Sequence, residues 1–166
     1  MPESEQGATC KRYLVNPRVL IFITRGDSVL LLKGSPSKRL WNNMYNGVGG
    51  HVEQGEDILS AARRELFEET SLHTRLSLCG TLMVDTGAGI GVGLFIFTGE
   101  CMDEEPVGSE EGTLEWIPFG EIDNKPLVED VAILISRIRL KQPGAEPFSG
   151  RSYYNSEGHL EVEFMD

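Results

Sequence analysis

Apolar and polar positions recur with two periods, and the changes between them divide most of the 166-residue chain into short elements. Residues 19–24 and 28–33 are rich in leucine and β-branched side chains and flank Arg25-Gly26-Asp27, the pattern of a hairpin. Residues 34–46 are turn-rich and basic, which predicts a loop. Gly47-Val48-Gly49-Gly50-His51-Val52 reads as a short extended segment loosened by glycine. Asp57 then has the character of an N-cap, with a helix predicted over 58–70. Strand-like stretches follow at 76–85, 90–100 and 113–117, the first two turning near 87–89. Val131, Leu134, Ile135 and Ile138 recur at helical spacing and predict a second helix over 128–140, broken by Pro143-Gly144. The tail, 148–164, reads as a hairpin turning at Asn155-Ser156-Glu157-Gly158.

Strands and helices mix without strict βαβ alternation, so the expected class is α+β (mixed α/β). There is no internal repeat, linker or low-complexity tract, and the length fits one domain. We expect that domain over 13–166, C-terminal hairpin included, with 1–12 as a polar, flexible N-terminus.

Composition changes this picture little: 40% hydrophobic and 25% charged residues are ordinary for a soluble protein. No apolar run approaches the ~18 residues that a bilayer requires, and the first residues lack the basic and apolar regions of a signal peptide. A cytoplasmic protein with no membrane partner is expected. Cys10, Cys79 and Cys101 form no metal-spaced pair and are expected to be reduced and mostly buried. The formal net charge of −11 argues against a nucleic-acid partner, which needs clustered Lys and Arg. It leaves open a phosphate-bearing small molecule, because a bound divalent cation inverts the local field.

The predicted first helix carries its charges on the wrong side. Ile58, Ala62 and Leu66 form one apolar stripe, yet Glu69 falls inside it, Glu65 lies at its edge and Glu68 is next round. Carboxylates spaced i, i+3 and i+4 repel one another, and burying them is costly unless a cation lies against them. Mg²⁺ is the natural candidate, with Mn²⁺ as an alternative, since both take oxygen ligands. Arg64 is four residues before Glu68 and can pair with it. Gly49-Gly50 suits close approach of backbone to ligand, with a free carbonyl for the metal. Plainer readings are a solvated acidic face, a surface ion pair and a tight turn before a helix.

The 23 residues from Gly50 to Leu72 resemble the Nudix box, Gly-x5-Glu-x7-Arg-Glu-U-x-Glu-Glu-x-Gly-U with U apolar. Gly50, Glu56, Arg64, Glu65, Leu66, Glu68, Glu69 and Leu72 match eight of its nine specified positions. Ser71 stands where the family usually has a glycine that ends the helix in the left-handed region. The resemblance implies the Nudix α/β/α sandwich, a mixed sheet between helices. The run Tyr45-Asn46-Gly47-Val48-Gly49-Gly50 and the C-terminal hairpin are similar to the MutT-like branch, in particular its oxidised-purine nucleoside triphosphate diphosphatases.

What the resemblance implies is hydrolysis, with Mg²⁺, of a nucleoside diphosphate-linked substrate, foremost a purine nucleoside triphosphate cut to monophosphate and pyrophosphate. Its metal ligands would be drawn from Gly50, Glu56, Glu65, Glu68, Glu69 and Glu111. Glu68 or Glu111 would take the proton from water, Arg64 orienting Glu68. Asn46 and Asp130 would read the purine, and Val128 replaces a tryptophan that stacks on the base in that branch. Lys33, Lys38 and Arg39 could touch phosphates. Plainer readings stand beside these: Asn46 as a turn residue, Glu111 as one acid in an acidic loop, the three basic residues as solvated. ADP-ribose or a dinucleoside polyphosphate is the alternative substrate, and a non-catalytic nucleotide sensor the alternative function. The expected partner is thus a small nucleotide, and the chain a monomer or homodimer.

Overall fold

A computed structural model describes residues 12–37 and 41–165. The first hairpin joins β1 (Leu14–Arg25) to β2 (Ser28–Gly34), but the strands pair only through Ile23↔Leu30, Thr24↔Val29 and Arg25↔Ser28. Beyond that point β1 parts from β2, and the glycine-rich segment enters the gap. Ile21 and Val48 exchange hydrogen bonds of 2.7 and 3.1 Å, and the Val19 amide donates to the Gly50 carbonyl at 2.9 Å. Side chains would not fit here: a Cβ at Gly47 would stand 2.9 Å from the Ile21 carbonyl oxygen, and one at Gly49 only 2.1 Å from that of Val19. The segment over 47–52 is therefore held by isolated bridges rather than forming a strand of its own. The preceding pair Tyr45–Asn46, β3, lies on β2.

The remaining strands are β4 (Ser77–Val84), β5 (Ile90–Glu100), β6 (Gly112–Pro118), β7 (Phe148–Tyr154) and β8 (Leu160–Met165). They build an eight-stranded sheet in the order β3-β2-β1-β5-β4-β7-β8, with β6 along the opposite edge of β2. β1–β5 and β4–β7 run parallel and the other pairs antiparallel, so the sheet is mixed.

Period-2 alternation along the buried strands makes two cores. Val19, Ile21, Ile23 and Leu30 face helix α1 (Ile58–Thr70) with its Ala61, Ala62 and Leu66. Leu20, Phe22, Val29 and Leu31 face helix α2 (Val131–Leu140) with its Leu134 and Ile135. One helix on each face is the sandwich that the sequence led us to expect. Trp116 packs on the α1 side under the Arg25 guanidinium, 4.2 Å from its ring. Cys79 and Cys101 are buried free thiols; Cys10 lies outside the described residues.

Two boundaries and two elements differ from the expectation, one element being β3, which lies in the stretch expected to be loop. β1 starts at Leu14 because β5 pairs with its exposed first residues, from Leu14↔Ile90 onward. α2 starts at Val131 because residues 126–128 are held extended against β3: Tyr45 donates to the Pro126 carbonyl at 2.8 Å and accepts from Val128 at 3.0 Å. A 3₁₀ helix at Phe119–Asn124, not anticipated, buries Ile122. No helix among the described residues is long and apolar enough to cross a membrane.

Candidate active site

The acidic helix begins as its sequence requires. Asp57 Oδ1 accepts from the Leu59 and Ser60 amides at 2.9 and 3.0 Å, which satisfies two orphan donors of the first turn. The packing of Ala61, Ala62 and Leu66 on the sheet then fixes the rotation of the helix and carries Glu69 inward, 7% exposed. Its Oε2 accepts from the Gly49 amide at 3.0 Å. One turn earlier, Glu65 lies against Gly50, where a Cβ would come within 2.3 Å of Oε1. Two carboxylates thus press on the glycine turn that fills the gap between β1 and β2. The Gly50 carbonyl is not free, since it accepts from Val19, but one lone pair is left to it.

Arg64 binds more than the partner expected of it. Nε and Nη2 grip both oxygens of Glu56 at 3.0 and 2.9 Å, Nη1 reaches Glu65 at 2.8 Å and Glu68 at 3.2 Å, and Nη2 also donates to the His51 carbonyl at 3.0 Å. Glu56 therefore anchors the fork, and the pair with Glu68 is the longest of the set. Glu56, and after it Glu65, push the Arg64 pKa further up, while Arg64 holds Glu56 below the usual carboxylate range. Glu68 is mostly exposed, at 57% of its side chain.

Among the described residues no three acidic, histidine or cysteine side chains stand ready around an ion. Arg64 accounts for this, because it holds oxygens of Glu56, Glu65 and Glu68. The donor set nevertheless fits a hard divalent cation: it consists of carboxylate and carbonyl oxygens, borne on rotatable side chains beside the Cβ-free notch at Gly50. Glu111 lies just before β6, with its carbonyl accepting from the Ser35 amide at 3.1 Å, and is not assembled with Glu65 and Glu69 in a cluster of three.

On the α2 face, next to the glycine turn, lies a cavity of about 320 Å³. Asn46 and Asp130, far apart in the chain, both line it, with Val128, Arg18 and Trp41. The bonds between Tyr45 and residues 126–128 bring them together. Asn46 Oδ1 accepts from the Gly47 amide at 2.8 Å, so what its side chain can offer a ligand is chiefly the amino donor. Asp130 precedes α2 without capping it. Burial, and secondarily the charge of Glu129, raise the Asp130 pKa above the usual carboxylate range. Glu129 is itself held by the Tyr154 hydroxyl from β7.

Lys33 is not in the cavity; its ammonium lies over the Tyr45 ring, 5.5 Å from the centroid. Lys38 and Arg39 lie outside the described residues. Arg18 and Trp41 escaped the sequence reading, although an arginine directly before the apolar run of β1 was a signal available there.

A model of the NUDIX domain matches residues 15–138. The oxidized purine nucleoside triphosphate hydrolase of Danio rerio is 32% identical over 110 residues, which cover 62% of this chain and 69% of that protein. The NAD-capped RNA hydrolase NudC of Pseudomonas syringae pv. tomato is 34% identical over 61 residues, 37% of this chain. The chain spans only 21% of that longer relative. A mutator MutT protein from Bacillus halodurans shares the fold, with a TM-score of 0.74 at 23% identity over 90% of this chain and 97% of that one.

Proposed function

The chain belongs to the Nudix hydrolase family, and we propose that it hydrolyses a purine nucleoside triphosphate to the monophosphate and pyrophosphate. The observation that supports this substrate is the cavity in which Asn46 and Asp130 face one ligand site. Asn46 offers an amino donor, and the Asp130 carboxyl, its pKa raised by burial, offers a second polar partner. Such a pair suits the ring edge of a purine. The base would lie on Leu94 and Val128, and its phosphates would leave the cavity past Arg18 and Gly49 toward Glu65 and Glu69.

Glu65 and Glu69, with the second lone pair of the Gly50 carbonyl, would hold Mg²⁺; Mn²⁺ has the same oxygen preference. When bound, such an ion neutralises the phosphate oxygens and lowers the pKa of a coordinated water. Glu56, both of whose oxygens bind Arg64, is left out of the ligand set and serves to anchor that fork. Glu68 accepts the water proton, its rotamer held by Arg64 and its charge exposed beside the cluster. The water oxygen bonds to the inner phosphorus, the inner anhydride P–O bond breaks, and pyrophosphate leaves with the electron pair. Glu111 is the alternative acceptor, from the loop before β6.

The match to NudC favours a second reading on the same site, an X-linked nucleoside diphosphate such as ADP-ribose or a dinucleoside polyphosphate, because similarity over 61 residues speaks for the diphosphate chemistry and not for the leaving group. A panel of normal and oxidised purine triphosphates, pyrimidine triphosphates, ADP-ribose and diadenosine polyphosphates with Mg²⁺ decides between them. The expected result is release of pyrophosphate with highest kcat/KM for a purine triphosphate, reduced roughly 10²–10⁴-fold in Glu68→Gln. Preference for ADP-ribose would favour the second reading. Tight binding without any turnover would make the protein a sensor.

A further inference from the structure

The cavity contains a guanidinium that no hydrogen bond or ion pair holds among the described residues. Arg18 stands where β1 passes from its exposed first residues into the core, bridged to His51 of the glycine turn and paired with Leu94 of β5. Its side chain lines the cavity together with Asn46, Asp130 and Gly49, near enough to Glu65 and Glu69 for their charges to act on it. The Trp41 ring lies 5.7 Å from the guanidinium carbon; among the described residues Arg18 makes no hydrogen bond and no ion pair. Burial lowers its pKa, and the nearby charges of Glu65 and Glu69 act in the opposite direction.

A half-buried guanidinium with its five donors unused is an expensive group to retain. Glu65 and Glu69 offset part of its charge through space, but their printed bonds go elsewhere, Glu65 to Arg64 and Glu69 to the Gly49 amide, so the fork's donors stay available to a ligand. Trp41, whose ring lies by the Arg18 guanidinium, lines the same cavity. An anion that enters with the ligand would take up the guanidinium's donors. In a nucleotide whose base lies at Asn46 and Asp130, the group at this point is the phosphate next to the sugar.

We propose that Arg18 binds the sugar-proximal phosphate of the substrate and thereby fixes the inner anhydride beside the Glu65–Glu69 pair. The proposal rests on the nucleotide reading given above and adds the residue that places the chain of phosphates. It is tested by calorimetric titration in chelator, so that no metal contributes. The ligands are guanosine, adenosine and their 5′-monophosphates; the proteins are wild type, Arg18→Ala and Arg18→Lys, each checked for an unchanged thermal transition. Arg18→Ala is expected to weaken monophosphate binding about 10-fold or more while nucleoside binding stays within about 2-fold. Arg18→Lys, which keeps the charge but loses the fork, is expected to fall between the two. Equal losses for nucleoside and monophosphate, or no loss for either, would overturn the proposal and leave the nucleotide reading intact. A wild-type protein that binds none of these ligands would remove that reading and this proposal with it.

Discussion

Two adjacent glycines of the box turn do different work. At Gly49 a Cβ would strike the backbone oxygen of Val19 at 2.1 Å, which cannot move without opening the sheet. At Gly50 it would strike the end of the Glu65 side chain, which can swing away. Gly49→Ala is therefore expected to lower stability by about 1–3 kcal/mol or more, in denaturant titration. Gly50→Ala is expected to fold normally yet lose roughly 10²-fold in kcat, through displacement of a carboxylate from the reacting phosphate. Similar stability losses in both variants would contradict this division. Asp130 gives a second test, in which pH is the variable. Its folded pKa is raised, so its contribution to stability is fully present below the ordinary carboxylate pKa and is lost as pH rises through the folded value. Asp130→Asn, which carries no charge, should gain stability relative to the wild type across that window and hold the gain above it. A difference that does not vary with pH would show that the carboxyl is not desolvated. Asn46 and Asp130 could be singled out from the sequence only by resemblance, since their residue types alone fit a turn and a helix start.

At the scale of elements, α1 was legible because its signals are local: a capping Asp57, a stripe of apolar residues and acids within it at helical spacing. Its end was less so. Ser71 keeps the left-handed conformation, φ 58°, that glycine would take, and its amide still closes on the Phe67 carbonyl at 2.8 Å. Because a residue with a Cβ costs about 1–2 kcal/mol in this region, Ser71→Gly is expected to be stabilising even after the entropy that glycine adds to the unfolded chain. The rise in thermal midpoint should be about 2–4 °C per kcal/mol at this chain length. A lower midpoint would mean that the serine side chain contributes an interaction worth more than the strain. α2 was misjudged by three residues for a different reason. Leu127 and Val128 carry helical spacing, but their backbone is claimed by Tyr45 in β3, a partner remote in sequence. The 3₁₀ helix after β6 has no periodic signature at all over six residues.

The whole molecule assembles its site from two kinds of information. The carboxylate cluster and its arginine come from one continuous stretch, 50–72, and could be read before any fold was known. The cavity is made by residues of β1, β3, β4, β5, the glycine turn, the loop before β3 and the turn into α2, so that neither its shape nor the place of Trp41 in it could be read from spacing; for Arg18 the only signal was its position before the apolar run of β1. Strand parity explains Lys33 as well: it shares a face with Val29 and Leu31, and there it meets Tyr45 instead of the cavity. With a net charge of −11, the chain as a whole repels a nucleotide. The outer phosphates of such a ligand can be held beside Glu65 and Glu69 only if a divalent ion is held there with them, and this is the claim on which the function depends. Electron paramagnetic resonance of Mn²⁺ with a non-hydrolysable purine triphosphate tests it directly. The account predicts a ternary complex with the wild type, weakened about 10-fold or more in Glu65→Gln and Glu69→Gln as a charged ligand is lost. Mn²⁺ bound equally well by the wild type and by both variants would contradict it.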